Sequence, residues 1–140
     1  MKNLFKLFTI LHVWIYRLTG GRIGGRDTGK FKLLLLNSVG RKTGKVHTNP
    51  LGSFMDGGNH IIIASYTAYG TYPAWYHNLK ANPDASIQVM NRVIKVKAEI
   101  ADPAERERLW AKLMEIAPGY GDYQKRTERL IPIVILHPKN

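Results

Sequence analysis

Hydrophobic positions along this chain recur at two spacings, and the spacings lay out its elements. Leu4, Leu7, Phe8, Leu11, Trp14, Ile15 and Leu18 return every three or four residues, with Lys2, Lys6, Thr9 and Arg17 mostly between them, which predicts an amphipathic helix. Lys6 and His12 interrupt its apolar run, and the run is far short of the roughly 20 residues of a membrane span. Tyr16-Arg17-Leu18-Thr19 offers no small-residue cleavage site, so a cleaved leader is not expected. Such a helix either packs on its domain, the commoner case, or lies on a membrane surface.

Five glycines between Gly20 and Gly29 then read as a loop or a ligand cover. Phe31 to Asn37 (FKLLLLN), Thr48 to Met55 and Asn59 to Tyr66 (NHIIIASY) read as strands, with Asp56-Gly57-Gly58 turning the second into the third. Pro73 to Ala81 (PAWYHNLKA) predicts a short helix ended by Asn82-Pro83. Ala85 to Met90 and Val93 to Ala101 alternate with period two, joined by Asn91-Arg92 as a two-residue turn. Asp102-Pro103-Ala104-Glu105 is a helix start, Leu109, Trp110, Leu113 and Met114 are its apolar stripe, and Pro118-Gly119 stops it. Tyr120 to Glu128 predicts another short helix, and Ile131 to Leu136 a sixth strand that Pro132 directs to an edge or a bulge. Six strands mostly in hairpin order, with helices inserted rather than alternating, indicate an α+β chain built on a small antiparallel barrel.

At 140 residues and 44% hydrophobic, the chain holds one domain with its own core. Residues 1–30 form the helix and glycine-rich loop, and residues 31–140 the barrel domain. Without cysteine there is no disulfide and no thiolate chemistry, and the cytoplasm is the expected compartment. Charge adds more. Ten Lys/Arg stand against one acid in residues 1–50, but eleven against nine in residues 51–140. An anionic partner near the N-terminal half is therefore expected: phosphate, polycarboxylate, nucleic acid or an acidic membrane.

Several motifs for chemistry fail on inspection. GGRDTGKF (Gly24 to Phe31) lacks the hydroxyl and the following helix of a nucleotide-hydrolase phosphate loop. The five histidines show no metal-ligand spacing, so no metal is expected, and no GxSxG marks a serine nucleophile. GRKTG (Gly40 to Gly44) stays open between two readings: a hairpin turn with solvated charges, or a turn that presents Arg41, Lys42 and Thr43 to one anionic group. PAWYHNLKANP is open likewise. Trp75 and Tyr76 serve a flat aromatic ligand, with Asn78 bonding a heteroatom, or they plug one end of the barrel. Tyr120 and Tyr123 share a helical face and offer phenols to a pocket, or only pack.

Taken in order, LLLLNSVGRKTGKVHTNPL, IIIASY, PAWYHNLKANP and DPAERERLWAKLMEIAPGYGDYQKRTERLIPIVIL resemble the deazaflavin-dependent nitroreductase family, split β-barrel oxidoreductases that use coenzyme F420. The resemblance covers about residues 31–137. It implies a split barrel, with the phosphate and oligoglutamate tail of F420 as the anionic partner. It implies that Arg41, Lys42 and Thr43 grip that tail, that His47, Thr48, Asn49, Pro50 and Leu51 form the next cofactor segment, and that Ala64 and Ser65 follow at a strand end. Ala74, Trp75, Tyr76 and Asn78 would flank the deazaflavin, with Tyr120 and Tyr123 closing over ring and substrate.

This chain departs from the family at four places, with His47 for arginine, Tyr66 for lysine, Gly52 for an aromatic and Ala117 for a tyrosine. The last two are expected to open the substrate pocket. The implied reaction is hydride transfer between F420 and an electron-poor acceptor such as a quinone, enone or nitro compound, with Ser65, Tyr120 and Tyr123 polarising the acceptor or relaying a proton. The competing readings are an FMN-binding barrel of the same fold and, further off, a nucleic-acid-binding barrel. Residues 2–18 are the expected contact if the protein works at the inner face of the cell membrane on a lipid quinone.

Overall fold

Among the described residues, six strands and three helices follow one another as β1 (Lys32–Val39), β2 (Val46–Asp56), β3 (Asn59–Ile63), α1 (Ala74–Ala81), β4 (Asp84–Val89), β5 (Arg92–Ile100), α2 (Pro103–Ile116), α3 (Tyr120–Lys125) and β6 (Ile133–Pro138). The computed structural model describes residues 30–65 and 71–139. The helix expected over Leu4 to Leu18, the loop through residue 29 and Tyr66 lie outside the described residues. The strands close into a barrel in the order β1-β2-β3-β6-β5-β4, every pairing antiparallel, with β4 returning to β1. The α+β split barrel expected from the sequence is the fold found.

Closure gives each strand an inner and an outer face, and the period of two sorts residues between them. Leu34, Leu36, Ile62, Ala64, Ile87, Val96, Val134 and Leu136 fill the interior, and Trp75, Tyr76 and Leu79 of α1 pack onto the same cluster from one end. The alternate residues Phe54, Ile61, Ile63, Ile133 and Ile135 face outward, where Leu109 and Leu113 of α2 cover them. The unbroken apolar runs of β3 and β6 follow from burial on both faces.

Helix α2 begins as expected. Asp102 accepts the Glu105 backbone N–H at 2.8 Å, with Pro103 in the first turn. Only half of the capping box closes, because the Glu105 carboxylate turns to Arg108 instead. Arg108 also makes a bidentate pair with Asp56 at 3.0 and 2.8 Å, and Lys112 joins at 3.2 Å, tying α2 to the end of β2.

Beyond shifts of one or two residues at strand ends, four features differ from expectation. The third strand ends at Ile63 rather than Tyr66, although the Ala64 N–H still donates to the Pro132 carbonyl at 3.0 Å. The β4–β5 turn is Met90-Asn91 and not Asn91-Arg92: Met90 takes φ of 57°, and Val89 pairs with Arg92. The register fixes this turn although its first residue is neither Gly nor Asn. Pro132 marks no edge or bulge, for it precedes β6, which pairs with both β3 and β5. Helix α3 ends at Lys125, short of Glu128.

The Arg108 guanidinium, helped by Lys112, holds the Asp56 carboxyl at about 2 despite burial. Because the folded value lies below the ordinary 3.8, this contribution is complete above about pH 5 and is lost as pH falls toward 2. Asp56→Asn should cost about 1 kcal/mol at neutral pH, since Arg108 is half exposed and the pair is screened. In urea denaturation the difference from the parent chain should shrink as pH falls from about 5 and vanish only below about 2.

Candidate functional site

GRKTG is a hairpin turn joining β1 to β2. The Gly40 N–H donates to the Lys45 carbonyl at 2.7 Å, the Gly44 N–H donates to the Gly40 carbonyl at 2.8 Å, and Gly44 sits at φ 72°. Thr43 Oγ1 accepts the Lys45 N–H at 3.2 Å, which leaves the hydroxyl proton to donate elsewhere. A Cβ on Gly40 would fall 2.8 Å from both Thr43 Oγ1 and His47 Nε2. The missing side chain thus lets a hydroxyl and an imidazole converge over bare backbone, beside exposed Lys42 and Lys45. This donor set suits an anion.

Arg41 differs from its neighbours. Its backbone N–H and Nη1 both donate to Asn78 Oδ1, at 3.1 and 3.0 Å, and Nη1 reaches the Ala74 carbonyl at 3.5 Å. The buried Asn78, expected beside a ligand heteroatom, spends its carbonyl oxygen fastening the turn to α1. Trp75 and Tyr76 are 5% and 7% exposed within the barrel core, so their side chains plug the barrel end, the second of the two readings the sequence left open. Burial pushes the Tyr76 phenol up.

The segment His47 to Leu51 cannot present all its side chains to one surface. Thr48 and Pro50 pair with Asn37 and Leu35 on the outer face, whereas His47, Asn49 and Leu51 pair with Ser38, Leu36 and Leu34 on the inner one. Outside, Thr48 Oγ1 donates to Asn37 Oδ1 at 2.6 Å and Asn37 Nδ2 donates to Ser86 Oγ at 3.1 Å, a polar rung across three strands. Ala64 is fully buried and Ser65 half-buried. Continuing the β2–β3 register past Ser53–Ile62 aligns Ser65 with Pro50 on the outer face.

Gly52 lies farther along that face. The expected opening is absent there, because a Cβ on Gly52 would fall 2.3 Å from Phe31 Cε1: the Phe31 ring fills the space an aromatic at 52 would take. Phe31 packs on Tyr120, and Tyr120 on Tyr123, each with ring centroids 5.8 Å apart. Ala117, with Gly119, Tyr120, Asp122, Tyr123 and Arg126, lines a cavity of about 410 Å³. Burial, and then the neighbouring Tyr123, push the Tyr120 phenol up, so it remains a proton donor at neutral pH.

Apart from Trp75, Tyr76 and Ala64 in the core and Asn49 and Leu51 facing inward, the nominated residues with a surface to offer fall into two groups around one barrel. Gly40, Thr43 and His47 meet at the rim with Arg41 held by Asn78. Thr48, Pro50, Ser65, Tyr120 and Tyr123 belong to the outer face below it.

Sequence patterns did not single out three further features. Ser38 Oγ is buried without a hydrogen-bond partner beneath the GRKTG turn. Phe31 controls the space over Gly52. A second cavity of about 490 Å³ at the opposite rim is lined by Lys32, Ser53, His60 and Lys112 among others. Only the Ser38 orphan could have been suspected, as a serine continuing an inward apolar row. Among the described residues no cluster of His, Asp or Glu could hold a metal, and no helix is long and apolar enough to cross a membrane.

Residues 9–138 match the family model described as F420H(2)-dependent quinone reductase. The chain belongs to this family. An F420H(2)-dependent quinone reductase of Mycobacterium tuberculosis is 43% identical over 129 residues, covering 90% of this chain and 87% of that protein. Among solved structures, an F420-H2 dependent reductase superposes with a TM-score of 0.68 at 35% identity, over 75% of this chain and 93% of that one. A domain-swapped dimer gives 0.71 at 32% identity, over 91% and 94%. The family's members are oxidoreductases with deazaflavin coenzyme F420 as cofactor, and this chain is one of them. Trp75 and Tyr76, buried in the core, are not available to stack on bases, which leaves the nucleic-acid alternative resting on charge.

Gly52→Ala should push Phe31 off β2 and unpack Tyr120. The alkaline titration of Tyr120, followed by ultraviolet difference spectroscopy, should then move down toward the ordinary 10 of tyrosine. An unchanged titration would mean that Phe31 does not govern that wall.

Proposed function

We propose that this member of the F420H(2)-dependent quinone reductase family passes a hydride from reduced F420 to a quinone, with the coenzyme lying from the GRKTG rim down the outer face of β2. The single observation that carries this reading is the converging donor set over Gly40, continuous with a strand face that ends at Tyr120.

The bound coenzyme supplies the hydride, so the protein's work is to bind, orient and deliver a proton. Lys42, Lys45, Thr43 and His47 would hold the anionic tail. Arg41 sets their geometry through Asn78 and keeps Nε and Nη2 unengaged by any described residue. Thr48 and Pro50 would support the ring along β2, with Trp75 and Tyr76 acting from inside the barrel by fixing α1. Tyr120, protonated at neutral pH, would donate to the acceptor oxygen, with Tyr123 and Ser65 completing that surface. Ala74, Asn49, Leu51 and Ala64 would contribute shape rather than hydrogen bonds. FMN in place of F420 is the alternative cofactor; it would offer the basic rim a single phosphate but no oligoglutamate tail.

A lipid quinone as acceptor would place the work at the inner face of the cell membrane, with residues 2–18 as the contact. Liposome flotation of the full chain, compared with a chain lacking residues 1–20, tests this, and equal flotation would remove it.

The decisive experiment is anaerobic mixing of the protein with reduced F420 and a water-soluble naphthoquinone. Reoxidation well above the protein-free rate is expected; none, together with tight FMN binding, would overturn the proposal. Lys42→Ala and Lys45→Ala should each weaken F420 binding roughly two- to fivefold at low salt, because an exposed ion pair is worth up to about 1 kcal/mol, and less at high salt. Arg41→Ala should lower both binding and thermal stability, since it also releases Asn78.

A further inference from the structure

Helix α3 carries Tyr120 and Tyr123 yet lacks the means to hold itself in place. It is six residues long, has no side-chain N-cap and buries no residue completely, Tyr120 being only partly covered. A helix of that length is not stable alone. Besides the Tyr120–Phe31 contact, its fixed point is Gln124, four residues after Tyr120 and on the same helical face.

All four hydrogen-bonding positions of the Gln124 amide are used. Oε1 accepts from Arg106 Nη2 at 2.9 Å and from the Ile131 N–H at 2.9 Å. Nε2 donates to the Arg129 carbonyl at 2.9 Å and to the Thr127 carbonyl at 3.4 Å. Two donors meet one end and two carbonyls the other, so the amide has one possible orientation. Arg106 is equally committed. It is 7% exposed, its Nε donates to the Ile131 carbonyl at 3.0 Å, and its guanidinium lies 4.6 Å from the Trp110 ring. Glu107, the nearest acid, is 3.7 Å away and largely exposed, so hydrogen bonds and the Trp110 face rather than a buried counter-ion hold the charge.

We infer that Arg106 and Gln124 form a latch that positions Tyr120 and Tyr123 over the acceptor cavity. They are positioning residues for the reductase, and this inference rests on the assignment of those tyrosines to the acceptor side. The latch joins three things: α2 through Arg106, α3 through Gln124, and the entry to β6 through both polar backbone groups of Ile131. An uncoupled α3 would keep its sequence and lose its address. The GRKTG rim belongs to a different part of the barrel, so the latch should govern acceptor handling and leave tail binding alone.

The test compares the parent chain with Gln124→Met, which keeps length and loses every hydrogen bond, and Gln124→Glu, which keeps an acceptor for Arg106 and the Ile131 N–H. Affinity for F420 is read by fluorescence titration, and KM and kcat with a water-soluble naphthoquinone. Gln124→Met should raise the quinone KM or lower kcat so that kcat/KM falls at least tenfold, with F420 affinity within about twofold of the parent. Gln124→Glu should recover part of that loss. Should Gln124→Met not fold, Arg106→Lys, which keeps one donor and the charge, should give an intermediate loss of kcat/KM on the same acceptor-specific pattern. Unchanged kcat/KM, or equal losses of F420 affinity and turnover, would overturn the latch.

Hydrogen exchange of amides 120–131 separates this proposal from the functional one. Faster exchange there in Gln124→Met, with a parent chain that reduces no quinone, would keep the latch as the device that orders α3 and would instead sink the quinone reading. Unchanged exchange would sink the latch whatever the activity.

Discussion

The pairing of β4 back onto β1 is the constraint on which the rest of this structure depends. Once that seam closes, no strand edge remains to hold a ligand by backbone pairing, and every strand residue is committed to the inside or the outside. The inside is spent on aliphatic packing and on the α1 aromatics. Chemistry is left with the rim, where turns can present backbone and cations, and with the outer face, where strand side chains and α3 meet. In the proposed reading the coenzyme would use both kinds of surface, a cationic one for its anionic tail and a flat apolar one for its ring, on adjoining ground joined by β2.

Neither surface is held by local structure alone. The rim turn is fastened by one buried side-chain oxygen, that of Asn78, which receives the Arg41 backbone and guanidinium together. The outer wall is fastened by the amide of Gln124 and the buried guanidinium of Arg106. In both places a polar group with its bonding capacity filled sits where an orphan would cost about 1–3 kcal/mol, which gives the arrangement its specificity. The tyrosine-bearing helix and the cation-bearing turn are thus rigid because something distant holds them.

Phe31 illustrates how a family pattern can be met by a different residue. Glycine at 52 reads as lost bulk, yet the ring of Phe31 occupies the vacated position and packs on Tyr120. The bulk has moved to the start of β1 while the wall persists. At 117 no such replacement occurs, and alanine lines open space. Under the proposed function, acceptor selectivity would therefore be set on the Ala117 side of that cavity.

By itself the sequence determined that six strands exist, the alternation of β4 and β5, the start and stop of α2, the glycine turns at 44 and 57–58, and the residues that mark the family. All of these are encoded by neighbours within a few positions, where spacing, capping and backbone freedom act directly. It could not decide which of His47 to Leu51 face outward together, because that depends on register with β1. Nor could it decide whether Trp75 and Tyr76 meet ligand or core, since an aromatic pair on a short helix serves either. The one-residue shift that puts Met90 at positive φ was hidden for the same reason: cross-strand pairing outweighs the local preference for glycine. The partners of Asn78, Gly52 and Arg106 are 37, 21 and 25 residues away or nearly so. Contacts at such separations leave no periodic trace in the chain, and only closure of the barrel brings them into reach.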